Sequence, residues 1–147
     1  MTSRNLIGLV YNQQVPEAAD LVNTLVKSNH LQRRCWTSPV VDVGQIQDKL
    51  DNTALVVTVG GDGTILRTVR VVAPFAVPIV GINMGRVGFM TELTVEEAVD
   101  NLVSYLDGHP WVEERMMLQA YVNSESEKRP RLIQHALNEV VVGLSGV

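Results

Sequence analysis

The sequence predicts an α/β fold, with a parallel-sheet, Rossmann-like N-terminal domain and the beginning of a second, β-rich domain. Three observations predict it. Short apolar runs alternate with amphipathic stretches as far as Pro110. The apolar runs are nearly unbroken, as strands covered on both faces tend to be. After Pro110 the helical spacing stops and extended, turn-separated segments follow.

Taken in order, Asn5 to Tyr11 reads as a buried strand. Pro16 opens a helix whose Ala18, Leu21, Val22, Leu25 and Val26 share one face, ending at Lys27-Ser28-Asn29. A weaker strand spans Arg33 to Thr37, and a short helical stretch runs from Gly44 to Leu50. The clearest strand, Ala54 to Val59, leads into Gly60-Gly61-Asp62-Gly63, and a helix covers Thr64 to Val72. Val77 to Ile82 is a further strand, followed by a glycine-punctuated loop from Asn83 to Gly88. Thr94 and Glu97 form a capping box for a helix to Asp107, with Gly108 in the terminating position. Strand–helix alternation of this kind builds a parallel sheet with helices on its faces. Trp111 to Val122 and Arg131 to Val142 read as extended segments. The domains are therefore expected at 1–110 and 111–147, the second incomplete because a strand-like segment stops abruptly at Val147.

Composition narrows the function. Hydrophobic residues are 46% of the 147 and charged residues 19%, a globular balance. The net charge of −4, with scattered Lys and Arg, argues against a nucleic-acid-binding face, which needs clustered cations. The longest apolar stretch, Val71 to Ile82, is broken by Pro74 and Pro78 and falls short of the roughly 18 residues of a membrane span. No secretory leader is visible, so a cytoplasmic protein is expected. Cys35 is the only cysteine, which excludes an internal disulfide, and His30, His109 and His135 show no metal-ligand spacing. Glu113, Glu114 and Arg115 read as a solvated strand edge.

Three constellations bear chemistry. In the first, Val57 to Thr64, a strand delivers Gly60, Gly61, Asp62, Gly63 and Thr64 to the carboxyl edge of the sheet, where open α/β sheets bind ligands. Glycines there leave backbone N–H groups approachable and permit positive φ, and the next helix aims its N-terminal donors at the loop. The arrangement suits a pyrophosphate or triphosphate. A carboxylate among phosphates is repelled unless it has a task. Asp62 has two candidate tasks, placing Mg²⁺ against the phosphates or orienting an attacking hydroxyl and accepting its proton. The competing structural reading makes Asp62 a helix cap in a tight turn. Arg67, expected in the first turn of the helix, is either a phosphate ligand or a solvated residue.

The second constellation, Gly81 to Thr91, again ends a strand in small residues. Asn83 offers an amide and Phe89 a flat surface for a base, or else Phe89 is core. In the third, Ala136 to Val141, Asn138 and Glu139 present donors and acceptors suited to ribose hydroxyls or an amide, unless they mark a strand-entry turn.

The blocks GGDGTILR (Gly60 to Arg67), GINMGRVGFMTEL (Gly81 to Leu93) and ALNEVVV (Ala136 to Val142) together resemble the NAD kinase family, in order and approximate separation. Glu114 to Leu118 also resembles a family strand. GGDG alone is shared with lipid kinases of the diacylglycerol and sphingosine type. The resemblance implies an α/β domain and a β-rich domain with the active site between them. It also implies a homo-oligomer (dimer or tetramer), Mg²⁺ or another divalent metal, and transfer of the γ-phosphoryl of ATP to the 2'-hydroxyl of NAD's adenosine ribose. It makes Asp62 the catalytic proton acceptor, and Gly63 and Arg67 nucleotide contacts. Asn138 and Glu139 become the pair holding NAD, and Phe89 an aromatic near the dinucleotide. The ordinary aspartate pKa of about 3.9 lies far below that of a ribose hydroxyl, so Asp62 is expected to orient the hydroxyl and take its proton late. The family's later block of small hydroxyl residues has no counterpart here, so the chain alone is expected to be weakly active or inactive. The other readings are a non-catalytic nucleotide-binding module and a lipid kinase.

Overall fold

The computed structural model describes residues 4–85, 88–107, 111–123, 131–141 and 143. The chain divides into two compact units, Met1–Val112 and Glu113–Val147.

The first unit is an α/β layer structure built on four parallel strands: β1 (Leu6–Tyr11), β2 (Cys35–Pro39), β3 (Thr53–Gly60) and β4 (Ile79–Asn83), in the spatial order β2-β1-β3-β4. The order reverses between β1 and β3. From β1 the chain moves outward one way to β2; from β3 it moves the other way to β4. With right-handed crossovers, the connecting helices must then cover opposite faces.

They do. Helix α1 (Pro16–Ser28) buries Ala18, Leu21, Val22 and Leu25 in a core with Ile7 and Leu9 of β1, Leu55, Val57 and Val59 of β3, and Val80 and Ile82 of β4. The other face packs Val10 and Val56 against Trp36, Val40, Val43, Ile46, Leu50, Val72 and Val77. Trp36 comes from β2 and Val77 from the turn before β4; the others belong to or adjoin a 3-10 segment (Val40–Gln45), the single turn α2 (Gln47–Leu50) and helix α3 (Asp62–Val72). Strand β3 is buried on both faces, which explains its unbroken apolar run. Helix α4 (Val95–Asp107) returns to the α1 side through Ala98 and Leu102. Side chains such as Leu9 and Leu25, fully buried, each contribute about 1.5–3 kcal/mol of transfer free energy.

Local chemistry fixes the ends. The capping box at α4 forms as read, with the Thr94 N–H donating to Glu97 Oε2 at 2.8 Å and the Glu97 N–H to Thr94 Oγ1 at 3.3 Å. Helix α1 closes on His30, whose φ of 52° is left-handed, with the Leu31 N–H donating to the Val26 carbonyl at 2.9 Å. The second left-handed residue is Ala76 (φ 49°), in the turn before β4. Gly8 is paired with Trp36 across β1 and β2, and the indole ring occupies the space its Cβ would fill. The Trp36 Nε1–H donates to Thr53 Oγ1 at 3.0 Å, and that hydroxyl donates to the Lys49 carbonyl at 2.7 Å.

Several boundaries differ from the sequence reading. The second strand region shifts to Cys35–Pro39, and the short helical stretch expected at Gly44 to Leu50 forms as the end of the 3-10 segment followed by α2. Helix α3 begins at Asp62 rather than Thr64, which moves Arg67 from the first turn into the second. Gly108 and His109 lie outside the described residues.

The second unit contains an antiparallel pair, β5 (Leu118–Val122) with β6 (Arg131–Ala136). Gln119 faces His135 across it, with their side chains 2.9 Å apart. The extended reading from Trp111 is corrected here: residues 111–117 form no strand, and Arg115 pairs instead with Glu113 at 3.1 Å in solvent. Among the described residues no helix is long and apolar enough to cross a membrane.

Candidate nucleotide site

The carboxyl ends of β1, β3 and β4 meet where the strand order reverses, the position at which open α/β sheets bind ligands. Each strand delivers a polar or glycine residue there: Asn12 after β1, Gly60-Gly61-Asp62 after β3, and Asn83 at the end of β4. Backbone hydrogen bonds stitch them together. The Asn12 N–H donates to the Val59 carbonyl at 2.9 Å, and the Met84 N–H to the Gly60 carbonyl at 3.0 Å.

The glycines of the first loop play different parts. A Cβ on Gly60 would collide with the Thr64 hydroxyl and lie 3.2 Å from Asn12 Cβ, so Gly60 is set by packing. A Cβ on Gly61 or Gly63 would meet nothing within 4 Å, so these two leave backbone open to a visiting group. Positive φ is not the reason for any of them. Gly61 has φ −118° and ψ −172°, and no described glycine takes the left-handed region. The conformational argument from sequence is corrected to one of access.

Asp62 is the first residue of α3, and its carboxylate makes no cap to its own helix. It turns instead to the loop after β4. The Phe89 N–H donates to Oδ2 at 2.9 Å and the Met90 N–H to Oδ1 at 3.1 Å. The Gly88 Cα lies directly beneath the carboxylate, because a Cβ there would overlap Oδ1 and approach Cγ to 2.9 Å. The structural reading of Asp62 as a helix cap is thereby replaced by a long-range clamp between two loops. A carboxylate accepts about four hydrogen bonds, so roughly two acceptor positions remain after the clamp. The negative charge also sits favourably at the helix N-terminus.

The remaining residues fall as follows. Thr64 is buried beside Gly60. Arg67 is exposed on α3, beyond the loop. Asn83 is buried, and its Nδ2 donates to the Gly85 carbonyl at 3.0 Å, so that amide closes its own loop. Phe89 is 96% exposed; it is not core, and its ring is available as a surface. Asn138 and Glu139 belong to the second unit, exposed in and after a bend that follows β6. The bend removes the alternation that would send neighbouring strand residues to opposite faces.

Two residues escaped the sequence reading. One is Asn12, whose Oδ1 accepts the Gln14 N–H at 3.0 Å, which fixes the side chain beside Gly60. Glu92 accepts the Gly81 N–H on Oε2 at 2.6 Å, tying the returning end of the second loop to β4. The signal for Asn12 was available, since an Asn at a strand end two residues before a backbone donor favours such a turn. Among the described residues no group of three or more His, Cys, Asp or Glu is gathered to hold a metal ion.

Sheet order, loop placement and an acidic residue among open glycines define a doubly wound α/β protein with a candidate ligand site at its switch point. A family model described as the ATP-NAD kinase N-terminal domain matches residues 19–109. The NAD kinase of Dehalococcoides mccartyi is 37% identical over 138 residues, covering 92% of this chain and 48% of that protein. The NAD kinase of Magnetococcus marinus is 45% identical over 103 residues, 70% of this chain and 31% of its own length. In three dimensions, the crystal structure of yeast NADH kinase complexed with NADH matches with a TM-score of 0.70 at 16% identity, over 93% of this chain and 48% of that one, a likeness of fold. The chain belongs to the NAD kinase family. It spans about half the length of the curated relatives it matches.

Proposed function

We propose that this chain is the nucleotide-binding part of an NAD kinase, which transfers the γ-phosphoryl of ATP to the 2'-hydroxyl of the adenosine ribose of NAD and yields NADP. The observation that carries the reading is Asp62. Its carboxylate is held at the switch point by two backbone N–H groups, beside two glycines whose backbone is open.

In this reading the ribose O2' attacks Pγ, the bond from Pγ to the bridging oxygen of ADP breaks, and the hydroxyl proton passes to Asp62. The transition state of phosphoryl transfer is loose and needs positioning more than a strong base. Asp62 therefore acts first by accepting the hydroxyl's hydrogen bond on a free lone pair, fixing its direction, and takes the proton late. Open backbone at Gly61 and Gly63, with the first N–H groups of α3, suits the phosphates. Phe89 offers its exposed ring to a base, Arg67 a cation to phosphate oxygens, and Asn138 with Glu139 polar contacts to the dinucleotide.

The donor set suits a divalent cation carried in by phosphates, since Mg²⁺ is commonly bound through one or two carboxylates plus substrate oxygens and water. Asp62 is the residue placed to contribute, and bound Mg²⁺ would neutralise phosphate charge. The same reading assigns 1–110 to the nucleotide-binding domain and 111–147 to the start of the β-rich domain. It also expects a homo-oligomeric, cytoplasmic enzyme of NADP biosynthesis.

Calorimetry with NAD, NADP and ATP, beside an NADP-formation assay with Mg²⁺, tests the proposal. Nucleotide binding is expected for the chain itself, with weak turnover. Robust turnover is expected in a protein of its relatives' length. Binding without turnover at that length would leave a non-catalytic module, and phosphorylation of a lipid alcohol in place of NAD would make it a lipid kinase.

A further inference from the structure

We infer that Gly88 is a positioning residue that acts through Asp62, its missing side chain forming the seat in which the carboxylate is held for the Phe89 and Met90 N–H groups. The functional weight of this inference rests on the kinase reading, whereas its geometry does not.

Asp62 follows the N-cap, Gly61, as the first helical residue, so its side chain is not committed to capping its own helix. Both its oxygens are engaged by residues 27 and 28 positions away. For the carboxylate to reach those two donors it must lie over the Gly88 Cα, where a Cβ would overlap Oδ1, stand 2.9 Å from Cγ and 3.1 Å from Thr91 Oγ1. Gly88 has no left-handed φ, so alanine is excluded by space and not by backbone conformation.

What would give way decides the outcome. The principal obstacle is the tip of the Asp62 side chain, which can rotate aside. The Thr91 contact needs only a few tenths of an ångström. Gly88→Ala should therefore keep the fold while dislodging the carboxylate, an effect distinct from simple crowding of a core.

Amide chemical shifts of Phe89 and Met90 in the isotopically labelled 147-residue chain read the seat directly. In the native chain both amide protons are expected to show a downfield, solvent-protected response to the carboxylate they donate to, and Asp62→Ala removes the response. Gly88→Ala is expected to fold and to lose the same response. If it fails to fold, Asp62→Ala in the same chain is expected to restore folding by clearing the space. An unchanged amide response in folded Gly88→Ala overturns the inference, as does unfolding that Asp62→Ala does not rescue. In a protein with turnover, kcat should fall about 10²-fold or more, as for loss of a proton acceptor, with KM for NAD moving far less. Adding Gly88→Ala to Asp62→Asn should cost little further. The amide measurement needs no substrate, so it stands even where the kinase reading fails.

Discussion

Replacing Asp62 by asparagine should weaken the fold slightly and the chemistry severely. The side chain keeps its shape, but its two ends now differ. One oxygen can still accept from Phe89 or Met90, while the NH₂ group meets the other N–H donor to donor. Hydrogen bonds to a charged acceptor contribute about 1.5–3 kcal/mol each when shielded. Here Phe89 is 96% exposed and Asp62 half-buried, so water replaces much of what is lost. The expected cost is about 1–2 kcal/mol. For a unit of this size that lowers Tm by roughly 4–10 °C. Calorimetric or circular-dichroism melts of the native and Asp62→Asn chains measure it, and NADP formation in an intact kinase measures the second effect, a loss of about 10²-fold or more in kcat. Active-site carboxylates without partners often stabilise a protein when neutralised, so the sign is informative. An unchanged or higher Tm in Asp62→Asn would mean the carboxylate does not grip the second loop, and near-normal turnover would remove it from the chemistry.

The same logic gives three further outcomes. The Thr94 backbone N–H, helped by the Thr94 hydroxyl, holds the Glu97 carboxyl below the usual glutamate range. Its contribution is therefore present above the unfolded pKa and lost as pH falls through the lower folded one, so melts between pH 7 and pH 3 should converge for native and Glu97→Gln chains only at the acid end. Curves that stay parallel throughout would count against the capping box, and Thr94→Ala should cost about 1 kcal/mol. Gly8→Ala drives a methyl into the buried Trp36 ring, and overpacking of about 1–3 kcal/mol should lower the urea midpoint without changing the slope; a raised midpoint would show that the ring moves freely. Burial pushes the Cys35 thiol pKa up. Alkylation at pH 8 should accordingly be slower than for free cysteine and speed up in urea, and equal rates would refute the shielding.

The sheet was legible because its inner strands β1 and β3 are covered on both faces and therefore largely apolar, as Leu6 to Tyr11 and Ala54 to Val59 are. The glycine–aspartate loop was legible for a related reason, since a charged residue and small residues at a strand end have little packing use. What sequence could not give was pairing over distance. Nothing near Asp62 announces that its partners are the N–H groups of Phe89 and Met90. The 3-10 segment at Val40–Gln45 begins four residues before the helical stretch read from sequence, because two buried residues three apart, Val40 and Val43, are too short a pattern to announce it. Arg67 was placed a turn too early because the helix starts within the glycine loop itself. Asn12 carries no signal of its own in the sequence beyond being polar at a strand end, although its amide oxygen organises the turn after β1.

The pole of the sheet opposite the candidate site is lashed. Arg4 donates to the carbonyls of Phe75 at 2.9 Å and Ala76 at 3.4 Å, and the Asn5 and Leu6 N–H groups both reach the Asn52 carbonyl at 3.1 and 2.9 Å. The entry points of β1, β3 and β4 are thus moored to one another by the chain's own beginning. Fastening and adaptation occupy separate ends of the same strands. Variation at Arg4, Asn52 or Ala76 should register as melting temperature, while variation at Asn12, Gly88 or Phe89 should register as what the protein holds.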